Sequence, residues 1–342
     1  MKRLEDCKWK EFWLSDVFDI DATSSSIDKK KLNGKSGNYP YITRTDKNNG
    51  FELFVDVQSK YCTDEGNVIS IGLDTQTVFY QNSEFYTGQN IQVLRNQQLN
   101  KYIALFIIPL LKIQLRKFNW GGNGATLGRL RRLKVVLPTI NNEPDYDFME
   151  KYMREVEHKQ KDRYKNYIRS KIEEVGFVER LETKKWREFR IEDIFNVFSG
   201  VRLTKENQNE GLRPFAGATD SNNGITEFVS NTNESLDQNV LGVNYNGSVV
   251  ENFYHPYETI FSDDVKRLHL KHYKDDKYVF LFMKAAILKQ KVKYQYGYKF
   301  NAERMKRQII KLPVNSHNEP DYAFMENYMR RKEYEILEKY QK

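Results

Sequence analysis

Cysteine is almost missing from this 342-residue chain: Cys7 and Cys62 stand alone and form no motif. That usage speaks against a disulfide scaffold and suits free thiols in a reducing cytoplasm, where the protein is expected to reside. There is no run of 18 apolar residues and no apolar N-terminal segment, so neither a membrane span nor a signal peptide is expected. Histidine is scarce too. His269-Leu-Lys-His272 could pair on a helical turn, but it lacks a third ligand at metal spacing and reads as solvent-facing or structural. Gly122-Asn-Gly-Ala-Thr-Leu-Gly128 resembles a loose phosphate loop, yet the matching stretch further on keeps only Gly297, which favours turn geometry. The Asn-Pro-Pro-Tyr or Asp-Pro-Pro-Tyr loop of an amino-methyltransferase is absent. Nuclease-like Pro-Asp…Glu letters occur only where helices begin, without the following lysine. No catalytic residue and no metal ligand is assigned, and a function by binding is expected.

What the chain does have is a long repeat. Asn142–Arg154, Asn-Glu-Pro-Asp-Tyr-Asp-Phe-Met-Glu-Lys-Tyr-Met-Arg, returns nearly letter for letter at Asn318–Arg330, 176 positions later. Solenoid units recur every 20–50 residues, so this period means two copies of a whole domain. Asp145 and Asp321 sit where a helix cap or first-turn acid belongs, beside Pro144 and Pro320. Phe148, Met149, Tyr152, Met153 and Val156 follow at three- and four-residue spacing, one apolar stripe on a helix. An apolar fraction of 39% and an aromatic fraction of 14% supply material for two cores.

Taken in order, the halves correspond throughout. Trp9-Lys-Glu-Phe12 with Asp16-Val-Phe18 matches Trp186-Arg-Glu-Phe189 with Asp193-Ile-Phe195; these aromatics read as the core of an opening strand and helical turn. The segments before Asn48-Asn-Gly50 and Asn222-Asn-Gly224 read as extended, running into turns. Asn67–Gly72 and Asn239–Asn244 are expected strands, continued by Thr77–Tyr80 and Ser248-Val-Val. Helices are expected from Lys101 and Lys277, caps at Thr126 and Asn301, and closing strands at Leu137-Pro138 and Leu312-Pro313. The fold class is α+β: two tandem homologous domains of short strands and helices, separated by long antiparallel, coiled-coil spacer helices. The expected boundaries are 1–141 and 179–317 for the domains, 142–178 for the central spacer helix and 318–342 for the C-terminal one. Thirty helical residues make a rod on the order of 45 Å long.

The net charge of +8 suggests a polyanionic partner, and its distribution says more. Lys112 to Lys134 holds seven basic residues and no acid; Lys284 to Lys311 holds nine against Glu303 alone. Phe118, Trp120, Tyr294, Tyr296, Tyr298 and Phe300 are interleaved with them. Basic groups among aromatics on loops suit a nucleic-acid backbone with bases nearby. The expected DNA face in the first half is Arg44, Lys47, Asn48, Asn49, Trp120, Asn123, Arg129 and Arg131. In the second it is Ser221, Asn222, Asn223, Tyr296, Tyr298, Lys299, Arg304 and Lys306. Arginine and lysine would mostly neutralise phosphates, and asparagines can pair with adenine edges.

At this point the sequence resembles the DNA-specificity (S) subunits of type I restriction–modification systems and their type IIB, BcgI-like relatives. The likeness rests on the tandem organisation, the Trp-Arg/Lys-Glu-Phe…Asp-Val/Ile-Phe openings, the basic segments ending in Leu-Pro and the Glu-Pro-Asp-Tyr-x-Phe-Met-Glu helix starts. It implies that each half is a target recognition domain reading one part of a split double-stranded DNA sequence. It also implies that the helices space the readers and dock one or two methyltransferase or methyltransferase–nuclease subunits. Tyr152, Met153, Val156, Tyr328 and Met329 are the expected docking residues. S-adenosylmethionine and Mg2+ would come with those partners, and this chain would hold no cofactor. The short last helix leans towards the type IIB kind. A tandem module for another polyanion, RNA or a polysaccharide, is the alternative.

Overall fold

A computed structural model describes residues 3–118, 124–294 and 298–340. The chain divides into two compact units, Met1–Asp162 and Arg163–Lys342. In the first, four antiparallel strands run in the order Asp19–Ala22, Ile91–Arg95, Val68–Gly72, Val78–Gln81. Val68–Gly72 is buried along its whole length, as its apolar run requires of a central strand. The helix Lys101–Leu115 packs on this sheet. Asn100 starts it by accepting from the Tyr102 and Ile103 amides, which would otherwise lack partners.

A smaller sheet pairs Phe51–Val55 antiparallel with Tyr39–Ile42, and the latter parallel with Tyr86–Thr87. Lys8–Trp13 pairs antiparallel with Lys134–Ile140, which ties the start of the domain to its end. Between them lies a core that includes Leu14, Ile69, Ile71, Leu94, Ile107, Leu111, Leu137 and Met149. Full burial of each such side chain contributes about 1.5–3 kcal/mol.

The second unit repeats this plan. Its four strands run Phe195–Ser199, Val265–Leu270, Val240–Asn244, Asn252–His255. A three-stranded sheet combines Ile225–Val229, Glu210–Ala216 and Ile260–Phe261, and Trp186–Arg190 pairs with Ile309–Pro313. The helix Lys277–Leu288 is capped by Asp276 as its counterpart is by Asn100. The α+β class and the paired domains agree with the sequence.

Two local expectations fail. Ser248-Val-Val is a turn rather than a strand, because Asn246-Gly247 reverses the chain first and the strand begins at Asn252. Trp9 and Trp186 are not core residues. Each is about 40% exposed, stacks on the domain helix at Phe106 or Phe282, and donates its indole N–H to the Leu4 or Leu181 carbonyl at 3.1 Å. An indole at a rim keeps both its apolar contact and its donor satisfied.

The long helix is Tyr146–Val175, stopped by Gly176 at φ +67°, and the C-terminal helix is Tyr322–Lys339. Asp145 and Asp321 cap them as expected, each accepting from the amide three residues on at 3.0 Å. Their apolar stripes, however, face their own domains. Phe106 meets Phe148 and Tyr152 edge to ring at 6.2 and 5.8 Å; Phe282 meets Phe324 and Tyr328 at 6.4 and 6.0 Å. Polar pairs reinforce this seating: Lys101 and Tyr102 bind Glu157, while Lys277 and Tyr278 bind Glu333.

The docking expectation is corrected accordingly for Tyr152, Met153, Tyr328 and Met329, which pack partly buried against the cores. Val156, half-buried, lies on the same helix. Within the second unit Ile168 is fully buried, Arg331 donates to the Gly176 carbonyl, and Lys171 lies within electrostatic reach of Tyr334.

Candidate nucleic-acid interface

The Asn-Asn-Gly turns are built alike. Asn48 and Asn49 have φ of 49° and 58°, Asn222 and Asn223 of 49° and 54°, a left-handed backbone that asparagine tolerates better than most residues. Gly50 and Gly224 are buried with φ near +78°; a Cβ on Gly50 would lie 3.2 Å from Ile42 and from the Thr43 carbonyl. The outer face of each turn is exposed. Asn49 donates its side-chain amide to the Tyr80 carbonyl at 2.9 Å, and Asn223 donates to Tyr254 at 3.3 Å. Each side-chain amide thus holds the turn to the neighbouring strand. Asn48 and Asn222 point outward beside them, and Ser221 shares a hydrogen bond with Thr219 at 3.0 Å.

Several expected phosphate contacts are already engaged. Arg44 pairs with Asp74, so its charge is compensated. Arg129 donates to the Gly124 carbonyl at 2.9 Å; Arg131 donates to Ile20 at 2.9 Å and lies 3.8 Å from Asp21. Arg304 repeats the Arg129 bond, donating to the Lys299 carbonyl at 2.9 Å, and Lys306 lies 3.5 Å from Glu303. Lys47 and Lys299 are exposed, and their ammonium groups have no partner among the described residues. Trp120, Asn123 and Tyr296 lie outside the described residues.

The turn between Val68–Gly72 and Val78–Gln81 joins these pieces. Asp74 holds Arg44 and accepts from Asn90 at 3.4 Å, while the Leu73 carbonyl accepts from the Ala125 amide at 2.9 Å. The Asn-Asn-Gly side and the start of the basic helix Leu127–Arg131 are thereby brought to one edge of the domain. In the second half the turn after Val240–Asn244 holds the Asn-Asn-Gly side and the segment Lys291–Lys293 that precedes the basic helix. The Ser248 amide donates to Ala218, Asn246 binds Asp264 at 2.9 Å, and Glu251 pairs with Lys291. Sequence reasoning missed Asp74, Asn90, Asn246 and Asp264: each meets its partner across 16 to 30 positions, where no spacing rule applies.

His269 lies on the strand Val265–Leu270, not on a helix. It bridges Asp237 at 2.9 Å and Asp275 at 2.7 Å, and these hydrogen bonds, Asp237 first, hold its imidazolium up to about 9. Arg267 shares Asp237 at 2.8 Å. This is a salt-bridge cluster. Among the described residues no group of His, Cys, Asp and Glu could hold a metal ion, and no helix is long and apolar enough to cross a membrane.

Two equivalent domains, each presenting turns and cations at one edge, are the pattern of a paired reader. The chain matches the type I restriction modification DNA specificity domain twice, over residues 7–165 and 183–341, and it belongs to that family. More particularly, it is 45% identical over 332 residues to the specificity subunit S.BcgI of a type II restriction enzyme from Heyndrickxia coagulans, covering 96% of both chains. It also resembles the crystal structure of the type I restriction–modification S subunit from M. genitalium, with a TM-score of 0.44 and 16% identity, covering 100% of this chain and 94% of that one.

Proposed function

We propose that this chain is the DNA-reading subunit of a restriction–modification complex, each half recognising one part of a bipartite duplex target. The observation that carries this reading is the doubled edge. The same left-handed Asn-Asn-Gly turn, the same arginine donating to a loop carbonyl and the same basic helix recur in both halves. Two similar but unequal readers on one chain select two different half-sites. Lys47 and Lys299 release counterions from phosphates, and the outward Asn48 and Asn222 lie within the turns that face the grooves.

The helix surfaces left after each stripe is seated on its own domain recruit one or two methyltransferase-containing subunits. These bring S-adenosylmethionine and, for cleavage, Mg2+. The chain itself neither methylates nor cuts. Two measurements on the purified full chain test this. Selection from a randomised duplex pool should enrich a split sequence with two fixed parts, and binding should weaken steeply with salt. Turnover by the chain alone, with S-adenosylmethionine, Mg2+ and the enriched duplex, would count against the assignment, as would equal binding of every duplex.

A further inference from the structure

In the second half, a cleft of about 460 Å³ opens beside the basic helix Ala302–Arg307. The described residues that line it are Lys293, Tyr294, Tyr298, Arg304, Arg307, Gln308 and Ile309; three are cationic and none is acidic. One wall is a ladder of flat groups. Tyr294 and Tyr298 stack at 5.7 Å with 12° between their planes, and the Arg304 guanidinium lies 3.9 Å from the Tyr298 centroid. The ladder is anchored from below: Tyr294 donates to Gln308 at 2.7 Å and packs on the buried Phe300. Arg304 is therefore held on its face by Tyr298 and on one edge by the Lys299 carbonyl. Its Nε and Nη2 have no hydrogen-bond partner among the described residues.

Neutralising a phosphate needs only a nearby positive charge, although a guanidinium fork can also grip two phosphate oxygens. A guanidinium fixed in plane has its fork aimed before binding, which lowers the entropy lost when it meets a planar two-acceptor edge. The guanine major-groove edge, with O6 and N7, is such a target. We infer that Arg304 is a base-reading residue of the second half, selecting guanine at one position of its half-site. Tyr298 is its positioning residue, and Lys293 and Arg307 meet the flanking phosphates. The inference rests on the proposed DNA-reading role and adds to it which residue discriminates.

The test uses the full chain and a randomised duplex pool, comparing wild type with Arg304→Lys and Tyr298→Leu. Lysine keeps the charge and loses the fork. Arg304→Lys should therefore leave the salt slope unchanged while a guanine preference of roughly tenfold or more disappears at one position of the second half-site. Tyr298→Leu should weaken that same preference and no other. Selectivity retained at the other positions of the second half-site, in each variant, reports that the mutated half is folded. Uniform weakening across all sequences would make Arg304 a phosphate contact and overturn the inference, as would an unchanged sequence preference. If wild type itself enriches no split sequence, the DNA-reading role fails, and the inference falls with it.

Discussion

His269 occupies the strand position that Arg95 holds in the first half, since Leu94 and Leu268 both face the central strand one residue earlier. Arg95 pairs with the buried Asp64 at 3.1 Å, and His269 pairs with the equivalent Asp237. The imidazole keeps the arginine's charge because two carboxylates stabilise the protonated form against the cost of burial. Its folded pKa of about 9 stands above the ordinary 6.5. The stability it contributes is thus full below pH 6.5 and lost as pH rises through 9, at most about 3 kcal/mol. Hydrogen exchange along Val265–Leu270 should accelerate between pH 7 and 9.5 beyond the intrinsic rate, and His269→Arg should abolish the excess. Asn49 makes a second residue-scale point. Asn49→Gly suits the left-handed backbone but loses the bond to Tyr80, so it should cost about 1 kcal/mol in chemical denaturation. Asn49→Ala should cost more, because alanine must also adopt φ near 58°.

At the scale of elements, the helices were the most legible part of the sequence, and their partners the least. Phe148, Met149, Tyr152 and Met153 announced a stripe through their spacing, and Asp145 announced its start. Spacing says which face is apolar; it does not say what meets it. Phe106, 42 positions upstream of Phe148, meets it, and nothing in the local pattern of either segment points to the other. The strands were readable where one apolar run is buried throughout, as at Val68–Gly72 and Val240–Asn244. They were misread at Ser248-Val-Val, where two valines suggested a strand and the preceding Asn-Gly had already made the turn. Of the candidate interface, the turns and basic segments were visible, whereas the ion pairs that occupy Arg44 and Arg131 were not. The seating of the stripe makes a quantitative claim. Met149→Ala and Met325→Ala each remove a fully buried side chain, so each should destabilise its own half by about 2–5 kcal/mol. Limited proteolysis would check this, with cleavage appearing first within the mutated half; equal sensitivity of both halves would refute it.

For the whole molecule, duplication lets affinity be shared while selectivity stays divided. Both halves keep the turn conformation, the helix caps and the seating of their last helix, so neither needs the other's residues to form its own core. Their outward residues differ: Lys47 precedes the first Asn-Asn-Gly turn, where Ser221 precedes the second. Lys47 is exposed, and its ammonium has no partner among the described residues, so reversing it removes no ion pair from the fold. Lys47→Glu should therefore leave the unfolding midpoint unchanged. It should weaken binding to the complete target and lower the salt slope by about one counterion, the share of a single phosphate contact. With the first half-site scrambled, the variant and wild type should discriminate second half-site sequences equally, because those are read by the other domain. Binding isotherms at several salt concentrations, with either half-site scrambled in turn, measure all three quantities. If the reversal also changed which second half-sites are preferred, the halves would not be independent readers; if it changed nothing, Lys47 would lie off the DNA face.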